Sequence, residues 1–215
     1  MKRSMRFAFL ATLLVFGGCQ RVYYGTMEKL GYQKRHILVS RVQDARDAQQ
    51  EAVKQFASAL EQFRTVVNFQ EGDLERIYRH LQAEFDRSES RAQAVRGRIE
   101  SVQEVAQALF REWKSELSQY TDKNLRRLSQ ERLNQTQQRY TQMIAAMQRA
   151  ESRIEPVLAA FRDQVLFLKH NLNAQAIAAL QDELTSIQTN VAALIQEMKT
   201  SIAEATAFIE AMSRE

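Results

Sequence analysis

The chain has 215 residues, 45% of them hydrophobic, so it is long and apolar enough to bury a core. Its formal charge of +4 includes Lys2, Arg3 and Arg6, which lie in an N-terminal segment without acids; the remainder is nearly neutral, so little would drive phosphate binding and no nucleic-acid partner is expected. The 6 glycines and 1 proline offer few turns, which favours long helices.

The first element is an apolar run from Phe7 to Cys19 that follows these cations. Such a run is typical of a secretory signal and is too short to span a bilayer as a helix. Its end resembles the signal of bacterial lipoproteins, with Phe16 in place of the usual Leu. The resemblance implies cleavage before Cys19, acylation of its thiol and, because residue 20 is Gln and not Asp, delivery to the outer membrane, facing the periplasm. The alternative is an ordinary signal anchor or secreted protein in which Cys19 carries no lipid.

Residues 1–18 are therefore predicted to be a signal peptide, and residues 19–34 a lipidated cysteine followed by a short tether. A lone cysteine cannot form an internal disulfide, whereas an acylated N-terminus would give a stable membrane anchor. Aromatic side chains favour the membrane interface. Tyr23 and Tyr24, in the tether, are therefore the candidate membrane-proximal aromatic residues.

Four long helices are predicted after the tether, at about residues 27–67, 73–119, 124–170 and 174–213. Apolar residues recur in them at alternating spacings of three and four, which is the pattern of a coiled-coil stripe. The stripe of the second helix is the most regular, and that of the third begins with Leu125 and Leu128.

Two features interrupt these stripes. Pro156 lies inside the third helix and predicts a kink just before it, because proline has no amide hydrogen and crowds the preceding turn. In the last helix the apolar stripe changes register after Met198. Short turns between long helices predict an all-α fold over residues 35–215, an elongated antiparallel coiled-coil four-helix bundle with up-down-up-down topology. The same stripes fit a compact monomer or a dimer of hairpins.

Three segments carry a resemblance to a known family. They are Met27 to Arg35, Asp44 to Gln49, and Lys169 to Ala174. Together they resemble a domain-of-unknown-function family of Gram-negative envelope proteins, over nearly the whole chain after the leader. The resemblance implies a helical fold in the cell envelope, and it implies no activity and no catalytic residues.

No pattern of catalytic or metal-binding residues is present in the sequence. None of the histidines, His36, His80 and His170, has a glutamate three residues before it, as the carboxylate-bridged metal sites of helical bundles require. Gly72 and Gly97 are isolated, whereas phosphate-binding loops need clustered glycines ahead of a helix, and acidic pairs on such charged helices are typical of solvated faces. We therefore expect no cofactor, no metal and no enzymatic activity.

The end of the bundle away from the N-terminus is a candidate binding site. It gathers apolar residues, of which Val165 to Leu168 are more than one helical stripe uses. Exposed apolar patches mark interaction sites. The candidate partner-binding residues are Phe69, Leu166, Phe167, His170 and Leu172. The alternative is that these side chains cover the bundle's own core.

Two classes of function remain. The preferred one is a lipid-anchored, non-enzymatic scaffold or adaptor of the cell envelope that binds an unidentified envelope protein. The other is membrane-surface or polyanion binding along a helical flank, although interspersed acids favour an ordinary solvated face. The flank contains seven arginines: Arg91, Arg96, Arg98, Arg126, Arg127, Arg132 and Arg139.

Overall fold

The computed structural model describes residues 34–67, 74–171 and 174–214. Its helices are α1 (Lys34–Val67), α2 (Leu74–Glu116), α3 (Lys123–Ser152), α4 (Ile154–His170) and α5 (Ala174–Arg214), with a 3-10 turn at Leu117–Gln119. No strand occurs within these ranges. The leader, the tether with Cys19, Tyr23 and Tyr24, and the turn residues Phe69 and Leu172 lie outside the described residues.

Contacts between helices establish an antiparallel bundle. The start of α1 meets the end of α2, where Lys34 Nζ lies 2.6 Å from Glu112 Oε2. The start of α1 also meets the end of α5, since Arg35 Nη2 donates to the Met212 carbonyl oxygen at 2.7 Å. Helices α3 and α4 pack in series against α2 and α5. The all-α helical bundle is therefore confirmed, and its longest helix, of 43 residues, is about 65 Å long at 1.5 Å per residue.

One continuous apolar core runs along the bundle. Every helix contributes fully buried side chains to it, for example Phe56 from α1, Val95 from α2, Met147 from α3, Leu168 from α4 and Leu194 from α5. The spacing of three and four residues places these side chains on one face of each helix, so the core follows from the sequence periodicity.

Main-chain continuity between α3 and α4 is interrupted at Arg153, three residues before Pro156. The Arg153 amide donates to the carbonyl oxygens of Ala150 and Glu151, and α4 begins at the next residue. Pro156 is thereby the third residue of α4, in the first turn, where an amide has no intrahelical partner to lose. The interruption therefore removes the clash that proline would make inside a continuous helix.

Two expectations from the apolar stripes are wrong. Leu125 and Leu128, expected at the start of the third stripe, are exposed, and the first buried residue of α3 is Leu133. The stripe of α5 keeps its register past Met198, because the next position is filled by the buried Ser201. The shift appeared only because this position is polar.

Candidate functional site

Large apolar side chains are exposed at both ends of the bundle. Within the described residues they form two groups, one on α4 and one around the start of α3. We call Leu166 and Phe167 the far-end patch, and Tyr120, Leu125 and Leu128 the near-end patch. Because exposed apolar clusters mark interaction sites, the two ends are the candidate functional surfaces.

The far-end patch lies in the last two turns of α4. Leu166 is 48% exposed and Phe167 is 40% exposed, whereas the flanking Val165 and Leu168 are buried. Residues three apart share a helical face, so Val165 and Leu168 both point into the core and turn the two intervening side chains outward. Of the residues predicted for this site, His170 is also exposed. The far-end patch is thus an apolar surface beside a histidine.

Backbone carbonyl groups at the end of α4, beneath the far-end patch, accept hydrogen bonds. The Asn171 amide donates to the Leu168 carbonyl oxygen at 3.2 Å, and its side-chain Nδ2 donates to the Phe167 carbonyl oxygen at 3.0 Å. These bonds pair two of the carbonyl groups that a helix C-terminus leaves open. The backbone that carries the far-end patch is thus hydrogen-bonded up to the end of α4.

A partly open apolar groove lies below the far-end patch, between α1, α2 and α4. Its cavity volume is only about 10 Å³, and it is lined by Ala59, Phe63, Leu81, Glu84, Phe85, Phe161 and Val165. The rings of Phe63 and Phe161 are 6.2 Å apart between their centroids. The guanidinium of Arg162 lies 5.6 Å from the centroid of the Phe85 ring and covers that side of the groove.

Glu84 is the charged residue of this groove and is mostly buried. Gln55 Nε2 donates to Glu84 Oε2 at 2.7 Å, and Arg87 Nη2 donates to Glu84 Oε1 at 2.5 Å. Burial acts to raise the pKa of Glu84, but the hydrogen bonds from Arg87 and Gln55 outweigh it, so the pKa is below the ordinary value of 4.5. Glu84 is therefore held as a paired anion that links α1 to α2.

The near-end patch lies where α2 turns into α3. Leu125 is 53% exposed, Leu128 is 46% exposed, and Tyr120 in the connecting turn is 42% exposed. Asp122 caps α3 by accepting hydrogen bonds from the amides of Asn124 and Leu125 at 2.7 and 3.2 Å. The patch is thus built on an ordered helix start.

Trp113 secures the hairpin that carries the near-end patch. It is partly buried against the core, and its Nε1 donates to Ser129 Oγ of α3 at 2.8 Å. The two helices of the hairpin are therefore tied together just behind the exposed leucines. The Trp113 indole N–H thus has a hydrogen-bond partner, as the N–H of a buried tryptophan usually does.

The middle of the bundle contains a buried polar pair that the apolar stripes did not reveal. Gln49 of α1 and Ser201 of α5 have no exposed surface, and Ser201 Oγ donates to Gln49 Oε1 at 2.9 Å. Gln49 Nε2 has no hydrogen-bond partner. A glutamine in the stripe position of α1 was the only sequence signal for this pair.

The described residues hold no group of three or more His, Cys, Asp or Glu side chains that could bind a metal ion. His36, His80 and His170 are all exposed, and His80 Nε2 lies 2.9 Å from Gln62 Oε1.

Several arginines of the predicted polyanion flank lie beside acids. Arg96 pairs with Glu155 at 2.8 Å and Arg127 with Glu131 at 2.7 Å. Arg98 lies 3.5 Å from Asp44, and Arg91 lies 3.9 Å from Glu51. Such exposed pairs contribute little stability, but they lower the local charge that an anion would meet.

None of the helices within the described residues is both long and apolar enough to cross a membrane. No curated protein matches the chain. The resemblance to a family of unknown function, given by the segments around Met27, Asp44 and Lys169, is confirmed at near full length. Residues 23–212 match the family described as protein of unknown function (DUF2959), and the chain belongs to that family.

Proposed function

We propose that this protein is a lipid-anchored, non-enzymatic scaffold or adaptor of the cell envelope. In this proposal Cys19 carries the lipid at the outer membrane, and the bundle extends into the periplasm. The far end binds an envelope protein. Support for the anchor comes from the lipoprotein-like leader that ends at Cys19.

The single observation that carries the binding role is the exposure of Leu166 and Phe167 at the end opposite the start of α1. Leu166 is 48% exposed and Phe167 is 40% exposed. The core at this turn is already filled by the buried side chains of Val165 and Leu168. Burying such side chains on association contributes about 25 cal/mol per Å² of apolar surface removed from water. An adaptor that presents this surface about 65 Å from its anchored end reaches partners that a compact domain does not.

Capture of the partner in cells tests the binding role. A photo-crosslinking side chain at Lys169, which is exposed in the last turn of α4, should yield one defined adduct. The double variant Leu166→Ser, Phe167→Ser should lose this adduct without loss of helicity, because both side chains are exposed. The matched control is Leu125→Ser, Leu128→Ser at the near end, which should keep it.

Two outcomes would contradict the binding role. An unchanged adduct in the far-end variant would show that the patch is not the contact surface. Unfolding of that variant would show that the side chains cover the bundle's own core, which was the alternative interpretation of this end.

Acylation is tested separately. Labelled palmitate should be incorporated into the wild-type protein and not into a Cys19→Ala variant. If neither is labelled, the anchor is refuted, whatever the crosslinking shows.

Binding of polyanions along the arginine flank has less support. The ion pairs Arg96–Glu155, Arg98–Asp44 and Arg127–Glu131 favour an ordinary solvated face. Three arginines of the flank, Arg126, Arg127 and Arg132, lie in the near-end hairpin.

A further inference from the structure

We propose that the hairpin at the near end, residues 113–132, is a membrane foot that docks on the surface of an anionic lipid bilayer. Leu125, Leu128 and Tyr120 would enter the interface, and the cations beside them would face the headgroup phosphates. The periodicity had assigned Leu125 and Leu128 to the core. The membrane foot depends on the proposed anchor only for the orientation of the bundle.

The hairpin extends beyond the other helices described at this end. Lys34, the first residue of α1, meets Glu112, and Met212 near the end of α5 meets Arg35. The described part of α2 continues past this level through Glu116 and the turn Leu117–Gln119. At 1.5 Å per residue in the α-helix and 2.0 Å in the 3-10 turn, the hairpin projects about 12 Å beyond the level of Lys34, and less beyond α5, which continues to Arg214. Among the described helices, the tip of the hairpin therefore reaches furthest at this end.

Charge at the tip is complementary to an anionic surface. Residues 113–132 carry a net charge of +2, from five cations (Lys114, Lys123, Arg126, Arg127 and Arg132) and three acids (Glu116, Asp122 and Glu131). Glu131 is paired with Arg127 at 2.7 Å. In the part of the chain that the structure describes, no acid lies within ion-pair distance of the Lys123, Arg126 or Arg132 side chains. These cations thus remain available to phosphate, unlike Arg91, Arg96, Arg98 and Arg127, which lie beside acids.

Apolar and cationic side chains are interleaved as an interfacial helix requires. Leu125 and Leu128 are three apart and share a face, and Arg126 and Arg127 lie between them. Interfacial helices insert leucines and aromatic rings at the acyl boundary and keep Lys and Arg at the phosphates. Tyr120 adds an aromatic ring with a polar tip, which suits the same depth.

The size of the near-end patch favours a lipid surface over a second copy of the chain. A stable protein interface buries about 1,200–2,000 Å² in total, far more than two leucines and one tyrosine supply. A bilayer needs no shape-complementary partner, and a few basic residues suffice for attraction within the Debye length. On an anchored protein, such weak contacts set the orientation of the bundle on the membrane.

Vesicle flotation tests the foot without the lipid anchor. All described helices lie between residues 34 and 214, so a chain beginning at Gln20 keeps the bundle. This protein should float with vesicles of phosphatidylcholine and phosphatidylglycerol at low salt, and should not float with phosphatidylcholine alone. The variant Leu125→Ser, Leu128→Ser should lose flotation. The variant Arg126→Gln, Arg127→Gln should bind at least about tenfold more weakly, since each basic residue near an anionic surface contributes roughly fivefold.

Matched controls are available at the far end. Leu166→Ser, Phe167→Ser removes the other exposed apolar pair, and Arg76→Gln, Arg79→Gln removes two exposed cations from the start of α2. Arg79 forms a helical ion pair with Glu75, as Arg127 does with Glu131. Both control variants should float like the wild type.

Three results would overturn the membrane foot. The first is that the wild type does not float with anionic vesicles. The second is that near-end and far-end variants lose flotation equally. The third is that sedimentation shows a dimer that only the near-end leucine variant disrupts. In the last case the near-end patch would be a contact between copies. Because the vesicle experiment omits the acyl chain and the palmitate experiment omits vesicles, either proposal can fail alone.

Discussion

Replacing Ser201 with Ala should destabilise the bundle, although Ser201 makes only one side-chain hydrogen bond. Ser201 Oγ is the donor to Gln49 Oε1 at 2.9 Å, and neither residue has exposed surface. The substitution leaves the whole Gln49 amide buried without partners, since Nε2 already has none. Leaving a buried acceptor unpaired costs about 1–3 kcal/mol in the free energy of unfolding.

A double variant separates the hydrogen bond from the packing. Gln49→Leu, Ser201→Ala replaces both polar groups by apolar ones of similar size, a change that is nearly neutral or stabilising when both partners are removed. The double variant should therefore be more stable than Ser201→Ala alone by at least about 1 kcal/mol. Ser186→Ala, at an exposed position of the same helix, is the control and should change stability by less than about 0.5 kcal/mol.

Urea unfolding followed by circular dichroism measures these differences, and thermal unfolding gives an independent readout. For a chain of this length, 1 kcal/mol corresponds to about 2–4 °C in Tm. Equal midpoints for Ser201→Ala and the double variant would refute the reasoning, because they would show that the unpaired amide has no cost. A buried polar residue can also set the register between helices, so we expect the double variant to show broader unfolding despite its stability.

Two further predictions concern α2. Gly97→Ala should stabilise the protein by about 0.5–1 kcal/mol, because an added Cβ meets nothing within 4 Å and alanine is the better helix former; Ala94→Gly, one turn earlier and also exposed, should have the opposite effect. Glu84 has a lowered pKa in the folded protein, so its contribution is complete above its ordinary pKa of 4.5 and is lost as pH falls through the lower folded value. Stability measured across this acid range should fall less in Glu84→Gln than in the wild type.

The core of α2 could be predicted from the sequence because its periodicity is nearly free of polar interruptions. Leu81, Ala92, Ile99 and Ala106 all lie at predicted stripe positions and are buried. Periodicity identifies one face of a helix and fixes its orientation once a partner helix is present. It therefore predicted the helical bundle and the direction in which each helix faces.

Periodicity could not show where partner helices end. Leu125 and Leu128 continue the stripe pattern of α3, yet both are exposed, because they lie close to the level where the described parts of α1 and α5 end, at Lys34 and Arg214. An amphipathic pattern has the same appearance whether its apolar face meets a protein core or a lipid surface. The near-end patch was therefore visible only in the structure.

Polar residues in the core were the other source of error. Ser201 occupies a regular stripe position of α5, and because it is polar the sequence suggested a change of register there. Its partner Gln49 comes from a helix 152 positions away along the chain. The sequence shows a polar residue at each stripe position but does not show that the two residues meet.

The interruption at Arg153 determines how force would travel from the far-end patch. The patch belongs to α4, a helix of 17 residues that does not continue the main-chain hydrogen bonds of α3. Instead, α4 is held laterally, by the Phe161 ring 6.2 Å from that of Phe63 and by Arg162 Nη2 3.8 Å from Glu89 Oε1. Tension applied to Leu166 and Phe167 would thus also load the lateral packing of α4 against α2 and α5, and not the main-chain hydrogen bonds of α3 alone.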